Sequence, residues 1–139
     1  ISSAPAEREK TAVEESSNAA YKRPTPEIAR LERQAFEILN RKRLEKGLPA
    51  LEWSDEMASL ARLHSQDMAR HNFFSHRGRD GAMVDERADL LGIGSWRGIG
   101  ENIAFNQGFE RPAEFACERW MLSVKHRENI LDARWRQSG

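Results

Sequence analysis

Apolar side chains recur at helical spacing in the first half of the chain. Between Pro26 and about Lys46 they are separated by three, four and seven positions, which places them on one helix face: Ile28, Leu31, Ala35, Ile38 and Leu39. Thr25 is a suitable N-cap for this helix, and Gly47 is suited to end it. A second helix is predicted after Ser54, with a buried face formed by Met57, Leu60, Ala61, His64 and Met68.

The second half of the chain alternates irregular and periodic segments. Residues 73–81 predict a loop, and a short helix is expected near 82–91, ended by Gly92. An alternating pattern then predicts a strand through Ile99, Glu101, Ile103 and Phe105. A last helix is predicted from Pro112 to about Lys125, with an apolar stripe of Ala113, Ala116, Cys117, Trp120, Met121 and Val124.

The first 24 residues differ in composition from the rest. They are rich in Ala, Ser, Glu and Lys and hold few large apolar side chains, so little apolar surface is available to offset the entropy of ordering the chain. We therefore predict a flexible tail or linker over residues 1–24 and one folded domain over residues 25–139. A length of 139 residues fits a single domain.

Charge and hydropathy exclude two classes of partner. The 22 basic and 22 acidic residues cancel, so the chain lacks the overall positive field with which proteins bind nucleic acid. No apolar run approaches the roughly 20 residues that span a bilayer. The single cysteine, Cys117, cannot form an internal disulfide and is interpreted as a small buried residue.

Three residues have settings that suggest chemistry. His76 lies in the loop that follows Phe73 and Phe74, His126 follows the last predicted helix, and Glu101 falls on the apolar side of the predicted strand. A buried carboxylate needs a partner, such as a histidine or several backbone amides. Together the three residues predict a site of two imidazoles and one carboxylate, a set suited to zinc or another divalent ion. The alternative is a pair of ordinary hydrogen-bonded histidines and a capped carboxylate.

Four short motifs appear in a characteristic order over residues 27–132. They read LNRKRLEKGLPALEW, LARLHSQDMARHNFFSH, GENIAF and RWMLSVKHRENIL. In this order they resemble the bacterial SCP-like branch of the CAP family, the cysteine-rich secretory, antigen 5 and pathogenesis-related proteins. The resemblance implies an α+β fold, the α-β-α sandwich of that family. It also implies a central cavity to which His76, Glu101 and His126 contribute.

The resemblance leaves the fourth cavity position open. In eukaryotic members an acidic residue follows the helix tryptophan by three positions, and here that position is Ser123. Glu118 is no substitute, because it lies about 120° from the centre of the apolar stripe and should face solvent. Ser123 and Asn102 are further candidates to line the cavity, Asn102 mainly by holding the turn around Glu101. His64 is a third, although a hydrogen-bonded core histidine is the alternative.

The chain also departs from the family pattern. Members continue through two more strands after the fourth motif, whereas this sequence stops at Gly139. We therefore expect an incomplete central sheet with an exposed edge. A homodimer or a domain swap would cover such an edge.

The function expected from these features is a secreted or cell-envelope binding module, with any signal peptide already removed. Its His/Glu cavity is expected to hold a divalent metal, or a small apolar ligand such as a lipid or sterol. The alternatives are a zinc-dependent hydrolase or protease that uses the same cavity, and a structural or interaction module of the envelope. No serine or cysteine stands in a recognisable catalytic triad, which favours a non-enzymatic role.

Overall fold

The computed structural model describes residues 23–139, so most of the predicted tail lies outside the described residues. Five helices and two short strands follow one another along this part of the chain. In chain order they are α1 (Pro26–Glu45), β1 (Glu52–Trp53), α2 (Asp55–His71), α3 (Val84–Leu90), α4 (Pro112–Leu122), α5 (Val124–Ile130) and β2 (Gln137–Ser138).

The first two helices begin and end where the sequence predicts. The Thr25 hydroxyl accepts from the Ile28 amide, and the Ser54 hydroxyl accepts from the Met57 amide at 3.2 Å. After α1 the chain turns at Gly47, whose φ of +72° favours glycine. After α2 it turns at Asn72, which is in the left-handed region. Local capping chemistry therefore determines these four boundaries.

The core forms where α2 and α3 meet. Leu60, Ala88 and Ile93 are buried there, and they are packed against by Met57, Val84, Leu91 and Ile99. A second helix contact joins α1 and α4. In that contact the buried Cys117 lies with its sulfur 3.8 Å from the Ala35 carbonyl oxygen. The interpretation of Cys117 as a small buried residue is confirmed.

Two boundaries in the second half differ from the prediction. The segment around Ile99–Phe105 is not a strand, although its residues alternate. It is held by side chains instead: the Trp120 indole, for example, donates to the Ile103 carbonyl at 2.9 Å. The predicted helix Pro112–Lys125 breaks at Ser123, which is extended. His126 therefore lies inside α5 rather than beyond the last helix.

The described sheet consists of two strands in parallel. Glu52 pairs with Gln137 and Trp53 with Ser138. The Glu52 amide donates to the Arg136 carbonyl, and the Ser54 amide to the Ser138 carbonyl. The pairing thus joins the connector between α1 and α2 to the end of the chain. The pairing was not predicted from the sequence.

A buried arginine ties the first helix to the C-terminal segment. Arg43 is fully buried, and its guanidinium donates to the carbonyls of Pro49, Ile130 and Asp132 at 2.8–3.0 Å. Burial lowers the pKa of Arg43 from its ordinary value. The bonds to Ile130 and Asp132 connect segments that are far apart in sequence, whereas the bond to Pro49 holds the turn after α1.

Arg43→Met should lower the free energy of unfolding by about 3 kcal/mol, because it leaves three carbonyl oxygens without a strong donor. Urea denaturation followed by circular dichroism measures this loss. Lys42→Met is the matched control: Lys42 is 41% exposed in a surface ion pair with Glu45, and its loss should change stability by less than about 1 kcal/mol. Equal effects of the two substitutions would contradict the role given to Arg43.

Candidate functional site

The loop after α2 brings His76 against Glu101. The Nδ1 atom of His76 lies 2.9 Å from Oε1 of Glu101. The carboxylate is 11% exposed and the histidine 44%, so a nearly buried acid holds a ring that reaches solvent. Because a carboxylate accepts hydrogen bonds, the Nδ1 atom carries the proton. In the neutral ring, Nε2 then carries the free lone pair.

The charge of Glu101 is balanced by Arg87 of α3. Arg87 Nη2 donates to both carboxylate oxygens, at 3.0 and 2.8 Å, and to the His76 carbonyl at 3.1 Å. Its side chain is only 12% exposed. Sequence reasoning required a partner for Glu101 but missed Arg87. The available signal was its position, since it shares the apolar face of the short helix with Val84, Ala88 and Leu91.

The second histidine, His126, is held by Ser123. Its Nδ1 atom lies 2.8 Å from the Ser123 hydroxyl oxygen, one turn earlier in the chain. The Asn102 amide donates to the His126 carbonyl at 3.2 Å. Asn102 directly follows Glu101 in the sequence. The residue next to the carboxylate that binds His76 therefore supports the backbone of His126. The Asn102 side chain thus contacts the helix that carries His126, and its expected role in holding the turn around Glu101 stays a prediction.

The Asn102 side chain is itself held by Asn129, and Asn129 is held by Trp135. The Asn129 amide donates to the Asn102 side-chain oxygen at 3.0 Å, and the Trp135 indole donates to Asn129 at 2.8 Å. A Cβ atom at Gly100 would lie 2.8 Å from the Asn129 side-chain oxygen and 3.0 Å from the Trp135 ring. Position 100 therefore has room only for glycine. This steric restriction explains the glycine that begins the GENIAF motif.

The three predicted metal ligands, His76, Glu101 and His126, do not all contact one another. His76 contacts Glu101 directly, whereas the Glu101-to-His126 connection passes through Asn102. Between residues 23 and 139, no group of three His, Cys, Asp or Glu side chains is arranged to hold a metal ion. Each of the two imidazoles has its Nδ1 atom engaged by a neighbouring side chain, Glu101 at His76 and Ser123 at His126. A metal site here stays a prediction.

His64 lies apart from these two histidines. It is 3% exposed, and its Nε2 atom donates to the Ser75 carbonyl at 2.8 Å, as the alternative of a hydrogen-bonded core histidine requires. It also borders a cleft of about 340 Å³ between α2 and α3. By supporting Ser75, His64 fixes the loop that carries His76.

Two further expectations concern α4. Glu118 is exposed, as its angle from the apolar stripe predicts. Cys117 is 1% exposed, and burial raises the pKa of its thiol to about 11. The thiol is therefore protonated at neutral pH and unsuited to act as a nucleophile.

The fold and the sequence agree with one family of proteins. The model of the Cysteine-rich secretory protein family, CAP, matches residues 36–139. The crystal structure of an extracellular protein containing an SCP domain, from Bacillus anthracis str. Ames, superposes with a TM-score of 0.71. It is 29% identical in sequence, and the match covers 83% of this chain and 39% of that one. The chain belongs to the CAP family, and its helix-rich α+β fold is confirmed.

Two relatives from Bacillus subtilis (strain 168) are similar in sequence. The uncharacterized protein YkwD is 33% identical over 138 residues, which are 99% of this chain and 49% of the relative. The uncharacterized membrane protein YlbC is 34% identical over 108 residues, 78% of this chain and 30% of the relative. The chain thus spans about half of the length of YkwD and less than a third of that of YlbC. Of the helices between residues 23 and 139, none is long and apolar enough to cross a bilayer.

Glu101→Gln should lower the free energy of unfolding by about 3 kcal/mol, because it leaves the buried Arg87 guanidinium without a counter-charge. Thermal and urea denaturation measure this loss. Glu45→Gln removes the acid of an exposed ion pair with Lys42 and should cost less than about 1 kcal/mol. An equal loss of stability in both variants would show that the ion pair between Arg87 and Glu101 contributes no more to the free energy of unfolding than an exposed one.

Proposed function

We propose that this CAP domain is a non-enzymatic binding module of the cell exterior or envelope that holds a divalent cation between His76 and His126. What supports the proposal is the state of the two rings: Nδ1 of each is held by a neighbouring side chain, at 2.9 and 2.8 Å, and Nε2 is left available. Metal-ligating histidines commonly have their second nitrogen fixed in this way.

In this proposal Glu101 acts through His76 rather than as a ligand. Both of its carboxylate oxygens already accept from Arg87, and one of them also accepts from His76. A metal ion at Glu101 would have to displace the guanidinium and leave it buried without a counter-charge. Two imidazoles are therefore the protein ligands, and water completes the coordination of the ion.

The donor chemistry selects a class of cation. Neutral imidazoles suit zinc, copper, nickel and cobalt, whereas calcium and magnesium prefer carboxylate and carbonyl oxygens. Because Arg87 neutralises Glu101, the site offers no uncompensated carboxylate from this residue. We therefore propose zinc or a similar transition metal ion as the ligand and expect calcium and magnesium to bind poorly.

The proposed location rests on the structural relative. The Bacillus anthracis protein that shares the fold is described as extracellular. A site outside the cytoplasm is also the one that the family resemblance implies. The location of the whole protein is part of the proposal, since the chain covers less than half of each relative.

A second candidate ligand is a small apolar molecule, and the cleft between α2 and α3 favours it. The cleft of about 340 Å³ is lined by four leucines, Leu60, Leu63, Leu90 and Leu91. Arg87 also borders it, and the Nε and Nη1 atoms of Arg87 are buried without a hydrogen-bond acceptor within residues 23–139. Buried donors of this kind are costly unless an acceptor reaches them. An apolar ligand with a polar end suits this combination.

His76→Ala should weaken zinc binding by about 10-fold or more, since one of two protein ligands is lost. Isothermal titration calorimetry with zinc, and with calcium and magnesium for comparison, measures the affinities. His71→Ala is the matched control, because His71 is an exposed histidine paired with Asp67 on α2. It should bind zinc as the unaltered protein does.

Three results of this experiment would count against the proposal. One is the absence of zinc binding by the unaltered protein, and another is an affinity that His76→Ala leaves unchanged. The third is hydrolysis of ester or peptide substrates that needs zinc and disappears in both His76→Ala and His126→Ala. That result would favour the zinc-dependent hydrolase instead.

Leu90→Asp should reduce binding of an apolar fluorescent probe to the cleft, because it puts a charge on one wall. Leu90 is 73% exposed, so the substitution should leave the melting temperature nearly unchanged. Leu44→Asp is the control, since Leu44 is 59% exposed on α1 and does not line the cleft. Equal probe binding by both variants would remove the support for an apolar ligand there.

A further inference from the structure

Two hollows adjoin along α3. One is the cleft of about 340 Å³ between α2 and α3, with its four leucines, and the other has a volume of about 560 Å³. Asp80 and Leu90 line both hollows, which therefore form one groove along the helix, the α3 groove. Leu90 is 73% exposed, so the groove presents apolar surface to solvent, as surfaces that contact a partner do.

The second hollow is lined by three carboxylates. They belong to Asp80, Glu86 and Asp89, and no basic side chain of the described residues lines this hollow. Asp80 accepts from the Ala82 amide at 3.0 Å and Glu86 from the Met83 amide at 2.8 Å, but neither bond brings a positive charge. None of the three acids forms an ion pair with another residue of the described chain. The hollow therefore carries negative charge that no ion pair neutralises.

The two arginines that line the leucine cleft do not supply the missing positive charge. Arg79 pairs with Asp67 at 3.2 Å, and Arg87 pairs with Glu101 at 2.8 Å. Because both guanidinium groups already have a carboxylate partner, the uncompensated charge of the groove is that of the three acids in the second hollow. A partner with a positive charge would be attracted to the groove, and one with a carboxylate would be repelled.

We propose that the α3 groove is a docking surface for a segment of a partner protein in which a lysine or arginine lies beside a leucine-sized apolar side chain. The apolar side chain fills the leucine cleft, and the basic side chain reaches the acidic hollow. A peptide suits two adjoining hollows, because pockets that take different side chains of one segment are a common mode of peptide recognition. This inference rests on the cleft that the second candidate ligand also uses, and it is independent of the cation site.

The test uses the full chain and three capped hexapeptides that alternate leucine with lysine, leucine with glutamate, and serine with lysine. Nitrogen-15 NMR titration measures each affinity and locates the binding. The leucine–lysine peptide should bind about 10-fold or more tightly than the other two, because each of them lacks one of the two interactions. Its binding should shift the amide signals of Asp80 and Leu90, and it should weaken in about 0.5 M salt, which screens exposed charges.

Charge reversal at Asp89 tests the acidic hollow. Asp89→Lys should weaken binding of the leucine–lysine peptide by about 10-fold and strengthen binding of the leucine–glutamate peptide. The variant should fold, since Asp89 lies in the last turn of α3, where a positive charge suits the helix dipole. Glu118→Lys is the matched control, because it changes the net charge equally at an exposed acid of α4 that lines neither hollow. It should bind the three peptides as the unaltered protein does.

Three results would overturn the inference: equal affinities of the three peptides, amide shifts that lie outside the α3 groove, or an Asp89→Lys variant that binds as the unaltered protein does. Decanol or decanoate that binds in the groove more tightly than the leucine–lysine peptide would also overturn it, and would assign the groove to the small apolar ligand. Zinc affinity is measured separately from all of these results, so failure of the cation site and failure of the docking surface can be told apart.

Discussion

The structure around the candidate site depends on the ion pair between Arg87 and Glu101. A buried carboxylate is unfavourable by itself, and here a guanidinium with 12% exposure supplies its counter-charge. The same guanidinium nitrogen also donates to the backbone of His76. One pair therefore fixes the loop after α2, the helix α3 and the segment that carries Glu101 relative to one another. The orientation of the His76 ring follows from that arrangement.

The segment around Glu101 is not part of a sheet, and side-chain hydrogen bonds hold it in place instead. Asn102 joins the turn of His126, Asn129 holds Asn102, and the Trp135 indole holds Asn129. Backbone groups of such a segment have no neighbouring strand to bond with, so these side chains position it. This also explains why Gly100 must lack a side chain, because the polar network occupies the space beside it.

The sequence predicted the helices well, because their boundaries depend on local chemistry. Thr25 and Ser54 cap α1 and α2, and periodic apolar residues follow each cap. The strand through Glu101 was wrong, since alternation records which side chains face inward but not whether a partner strand is present. The break at Ser123 was missed because the apolar stripe of α4 continues through Val124 in the sequence. The pairing of β1 with β2 joins residues more than eighty positions apart, which no local pattern records.

Residue types were a better guide to the site than secondary structure was. The contact of His76 with Glu101 was anticipated because a buried acid requires a partner, and that requirement holds whatever the backbone conformation. The requirement was incomplete, however, because the neutral form of an imidazole does not cancel a full negative charge. A cation had to be present as well, and Arg87, the charged residue on the apolar face of α3, supplies it. In the sequence, Arg87 on the apolar face of α3 and Glu101 on its apolar segment each lacked a counter-charge. Together the two residues were the available signal of the ion pair that they form.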